Sequence, residues 1–132
     1  MIVKARSIIP FVLLLFSLSG CASLTPAQKT LWMANVYEAQ YDLYLDQMIN
    51  PMVGAEMKAS LKAEPSLIVG EYLNPDLTEQ QREVLRVKKQ ILIELKPLVA
   101  MATKYQLTGV LPSEEAINKM ANLINELLIS GD

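Results

Sequence analysis

No histidine occurs anywhere in the 132 residues. Its absence removes the commonest general base, the commonest metal ligand and the usual partner of a nucleophilic serine. Cysteine occurs once, as Cys21, so neither an intramolecular disulfide nor a paired-thiol metal or redox motif can form. Glycine is scarce: its five copies are scattered singly, and none builds a phosphate-cradling loop. Clustered positive charge is missing as well, with twelve basic against fourteen acidic side chains, which disfavours nucleic acid as a partner. For catalysis this leaves a carboxylate pair, Glu38 with Asp42 or Asp46. Acids one helical turn apart are more simply a solvated, salt-bridged edge, so the chain is read as a non-enzyme without cofactor or metal. Glu38, Asp42 and Asp46 are retained as candidate partner-binding residues.

What is present begins at the amino terminus. Lys4 and Arg6 precede a nearly continuous apolar run over residues 7–18. A dozen residues are too few to span a hydrocarbon core of ~30 Å as a permanent helix, so residues 1–20 are expected to be a cleaved signal peptide. The run closes on Leu18-Ser19-Gly20-Cys21. That tetrapeptide resembles the lipobox of bacterial lipoproteins, a leucine and two small residues before an invariant cysteine. The resemblance implies that Leu18, Ser19 and Gly20 are recognised by the signal peptidase. It also implies a diacylglyceryl group on the Cys21 sulfur and usually a further acyl chain, such as palmitate, on the new amino terminus. Several acyl chains, at ~0.8 kcal/mol per buried methylene, hold a protein firmly to a bilayer. The covalent lipid would be the chain's only non-protein group. The alternative is an ordinary secretory signal that leaves Cys21 a thiol. After the cysteine stands Ala22 where an aspartate would favour inner-membrane retention, and by resemblance this points to an outer-membrane anchor facing the periplasm.

Cleavage removes Lys4 and Arg6 and no acids, leaving 112 residues with ten basic and fourteen acidic side chains, one domain's worth. Residues 21–25 form the lipidated cysteine and a short tether. At ~3.5 Å per residue, Ala22 to Thr25 reach at most about 14 Å, so the domain over residues 26–132 is expected to sit close to the membrane.

That domain reads as all-α: three principal helices and a short helical connection in a small bundle. Thr25-Pro26-Ala27-Gln28 starts the first helix as a capping box with proline at its first position, and Asn50-Pro51 stops it. Its buried face is expected to carry Tyr37, Tyr41, Tyr44 and Met48, with Trp32, Val36, Ala39 and Leu43 adjoining. Trp32, nearest the lipidated end, is also a candidate for the headgroup layer. Residues 51–63 suggest a short helix, and residues 51–76 as a whole are the least determined part. Thr78 and Gln81 repeat the capping box, and the long helix that follows places Val84, Val87, Ile91, Leu95, Leu98, Ala102 and Tyr105 in its core stripe. Pro97 inside it is expected to remove the backbone bond to Ile93 and to kink the helix. Arg82, Arg86, Lys89 and Lys96 lie on one edge, the expected complement of the acidic edge at Glu38, Asp42 and Asp46. Gly109 ends that helix and residues 112–115 open the last. Met33, Met48, Met52 and Met57 are read as gap-fillers of the core.

Leu24-Thr25-Pro26-Ala27-Gln28 and Leu77-Thr78-Glu79-Gln80-Gln81 share the pattern Leu-Thr-x-x-Gln. This resembles the motif that occurs twice in Spy-type periplasmic chaperones, small all-helical proteins that present a basic concave face. It is equally a stapled capping box, and the acidic balance and lipobox depart from that family. The leading expectation is a membrane-anchored lipoprotein of the cell envelope acting as a non-catalytic binding or structural accessory, its partners membrane lipid and another envelope protein. The alternatives are a Spy-like chaperone or stress adaptor, and a prophage-derived envelope or lysis accessory.

Overall fold

The computed structural model describes residues 24–130. Leu18, Ser19, Gly20 and Cys21 lie outside the described residues. The chain is an all-α bundle, with helices α1 (Pro26–Met48), α2 (Ala55–Ala63), α3 (Glu79–Thr108) and α4 (Glu114–Ile129). Each long helix starts where side-chain chemistry satisfies its free amides. The Thr25 hydroxyl accepts from the Gln28 amide while the Gln28 side chain accepts from the Thr25 amide, and Thr78 and Gln81 repeat that exchange at α3. Ser113 accepts from the Ala116 amide at α4. α3 runs through Pro97 without a break and ends on Gly109, whose φ of 74° is the left-handed value that glycine adopts without strain.

α1, α3 and α4 pack on one another around the main core. Leu95, Ala102 and Met120 lie at its centre with no exposed surface. Met33, Ala34 and Val36 are its contribution from α1, with Trp32 packed half-buried against it. Thr30 is the buried polar residue of α1, and its hydroxyl is satisfied by donating to the Pro26 carbonyl at 2.8 Å.

Several expected core positions face solvent. Ala39 and Leu43 on α1, and Val87 on α3, are exposed. The reason is that α1 buries one side against α3 and α4 through its first half, then turns Leu45 and Ile49 toward a second, smaller core with Leu61 and Ile68. Met33 is buried as expected, but Met52 and Met57 are exposed, because the start of α2 and the turn before it lie outside both cores.

Residues 49–74 form a closed excursion. Ile49 bridges Leu73 in antiparallel fashion, with the Asn50 amide donating to the Tyr72 carbonyl and the Asn74 amide to the Met48 carbonyl. The two Asn-Pro dipeptides act as a matched clamp. Asn50 Nδ2 donates to the Glu71 carbonyl and Asn74 Nδ2 to the Gln47 carbonyl, while each Oδ1 accepts from the amide two residues on. Between them lie α2 and two single 3-10 turns, Pro65–Leu67 and Gly70–Tyr72. The clamp holds the end of α1 beside the beginning of α3, which makes these packed helices antiparallel. A connection over residues 109–113 then returns α4 alongside.

Candidate functional site

The acidic edge of α1 meets α2, not α3. Lys58 and Lys62 are one turn apart on α2, as Asp42 and Asp46 are on α1, and the two ladders interlock. Lys62 Nζ stands 2.8 Å from both Asp42 Oδ1 and Asp46 Oδ1, and Lys58 Nζ is 2.8 Å from Asp46 Oδ1. Burial pushes the Asp46 carboxyl up, but hydrogen bonds from Lys58 and Lys62 and their charges outweigh it and hold it below the ordinary carboxylate range. Lys62 is raised by its hydrogen bonds to Asp42 and then Asp46. The expected complement, the basic edge of α3, instead pairs locally at Arg86 with Glu83. α1 and α3 are neighbours through apolar packing. Of the three acidic candidates, Asp42 and Asp46 are thus brought together and bound within the chain, while exposed Glu38 stands one turn away.

A groove opens on another side of α1, between α1, α3 and the 3-10 turn at Pro65–Leu67. Its volume is about 490 Å³, within the range of ligand-sized clefts. Tyr37, Tyr41 and Tyr44 line one wall, Leu45, Ile68 and Leu92 the apolar floor, and Lys89, Ile93 and Lys96 the other wall. The tyrosines follow one face of α1 at three- and four-residue steps, and Tyr37 stacks on Tyr41 with ring centroids 6.0 Å apart and planes 15° apart. Burial, seconded by neighbouring Tyr41, pushes the phenols of Tyr37 and Tyr44 up, so both keep their proton at neutral pH and can donate.

Among the described residues, no carboxylate lines this groove. Neither Lys89 nor Lys96 has an ion-pair partner among the described residues. Seven residues apart on one helix, they are separated by about 10 Å along its axis. Between them Ile93 is 54% exposed, a large apolar side chain flanked by two unneutralised cations. Because Pro97 has no amide hydrogen, the Ile93 carbonyl lacks its helical donor. The arrangement can hold an apolar segment bearing negative charge. Among the described residues no group of three potential ligands could hold a metal ion. None of their helices is long and apolar enough to cross a membrane.

The tyrosines and the lysines are each visible in the sequence, but their meeting is not. The sequence signal is Ile93, an apolar residue between Lys89 and Lys96 and off the stripe that runs through Ile91, Leu95 and Leu98. No family model matches this chain, and neither a curated protein nor a solved structure matches it.

Proposed function

We propose that the chain is a small lipid-anchored protein of the bacterial cell envelope, on the periplasmic face of the outer membrane, and that it acts by binding rather than catalysis. Its groove holds an acidic, partly apolar segment of another envelope protein. The observation that carries the binding half is the pair of lysines flanking Ile93 opposite three tyrosines, in a groove where no described residue supplies a carboxylate. Tyrosine supplies contact area at low conformational cost, and charge complementarity selects the segment. The lipobox at Leu18, Ser19, Gly20 and Cys21 supports the anchoring half.

Crosslinking in native envelopes followed by pull-down tests the reading. A discrete complex with the wild type, lost in the Lys89→Glu/Lys96→Glu double variant, is the expected result. A protein recovered without any stable partner overturns it. Anchoring is tested by Cys21→Ser, which releases the protein from high-salt-washed membranes; a variant still retained contradicts a lipid anchor.

The chaperone alternative rests on the two Leu-Thr-x-x-Gln motifs. Their threonines and glutamines form reciprocal caps at α1 and α3, which accounts for the recurrence without a client surface. Suppression of a model protein's aggregation at near-equimolar amounts would favour that alternative over a dedicated partner.

A further inference from the structure

The bundle has polarity. The Asn50 and Asn74 clamp places the end of α1 beside the start of α3, so the beginning of α1 lies at the opposite end, with the last turns of α3 and the connection to α4. α3, with 30 residues against 23 in α1, is the longer by about 10 Å. At that same end three large apolar side chains stand in five consecutive positions. Leu107, Val110 and Leu111 are 84%, 68% and 38% exposed. Gly109, in its left-handed conformation, turns the chain between them.

Two residues, Ala22 and Ser23, separate Leu24 from Cys21. At ~3.6 Å per residue, the cysteine can stand no more than about 11 Å from the start of the described chain. An anchor at Cys21 therefore brings this end of the bundle close to the bilayer. Resting on the anchoring reading of Cys21, we infer that the turn carrying Leu107, Val110 and Leu111 inserts into the boundary between headgroups and acyl chains of that membrane. It gives the bundle a second fixed contact and a single orientation. Exposed Lys104 lies one turn behind, but Glu114 and Glu115 open α4 just beyond, so the end is not a cationic patch. Its grip is apolar, and insertion does not require anionic lipid.

The test uses the full acylated protein in vesicles of phosphatidylethanolamine and phosphatidylglycerol with brominated acyl chains. Trp32→Phe leaves no other tryptophan, and Leu107→Trp or Met52→Trp then reports from either end of the bundle. Quenching severalfold stronger at Leu107→Trp than at Met52→Trp, and unchanged when phosphatidylglycerol is withdrawn, is the expected result. Equal quenching in protein whose Cys21 adduct is present by intact mass overturns the insertion while leaving the anchor standing. A missing adduct overturns the anchor and the insertion with it. The unaltered chain provides an independent reading: amide exchange at residues 107–111 slows on reconstitution while residues 50–53 are unaffected. Unchanged exchange at residues 107–111 also counts against insertion.

Discussion

Asp46 is the residue on which the attachment of α2 turns, because it meets both lysines of that helix. Its folded pKa is depressed, so its contribution to stability is complete above about pH 4, near the ordinary aspartate value, and is lost as pH falls through the folded value. Lys62 has the opposite sign. Its raised pKa contributes fully below about pH 10 and is lost as pH rises beyond that. The ladder therefore holds across the neutral range. Asp46→Asn is expected to cost on the order of 1 kcal/mol at pH 7 and to flatten the acid side of the stability profile, measured as melting temperature against pH. A second contrast is apolar. Leu95→Ala, at the centre of the core with no exposed surface, should cost about 2–5 kcal/mol by urea unfolding. Leu43→Ala, 48% exposed, should stay within about 0.5 kcal/mol.

The elements divide into those set by neighbouring residues and those set across long separations. The caps at Thr25 and Thr78 and the stop at Gly109 were legible because each is decided within three or four residues. Gly109→Ala forces a Cβ into the left-handed region and should destabilise the protein by about 1 kcal/mol, read as a shift in the urea midpoint at constant slope. Within the excursion over residues 49–74 the short helix was legible, but the closure was not. Its register depends on Asn50 and Asn74 reaching carbonyls 21 and 27 residues away, and nothing local distinguishes those asparagines from ordinary turn formers. Charge periodicity failed for a related reason: an acidic ladder on α1 matches a lysine ladder on α2 as well as one on α3, and only the fold chooses. Asn74→Ala removes both ends of one clamp and should cost about 1–2 kcal/mol. Amide exchange should then speed up over residues 50–74 while α3 and α4 keep their protection; uniform acceleration would mean that the excursion is part of the global folding unit.

At the scale of the whole molecule, the all-α class and the three principal helices followed from apolar spacing, whereas the groove did not, because it is shared by three elements. Burying Leu45 and Ile49 with Leu61 and Ile68 draws the Pro65–Leu67 turn over the tyrosines and makes a ledge into a cleft. The two lysines freed from the acidic edge, which α2 occupies instead, then face that cleft unneutralised. Groove and apolar turn lie on different parts of the bundle, so a membrane-held orientation and a bound protein segment are compatible. The most direct measurement is photocrosslinking from position 93, with a benzophenone amino acid in place of Ile93, in native envelopes. The account predicts one discrete adduct, absent from the Lys89→Glu/Lys96→Glu background and absent when the probe replaces Met101 on α3 outside the groove. Equal adducts from positions 93 and 101, or an adduct indifferent to the two charge reversals, would contradict it.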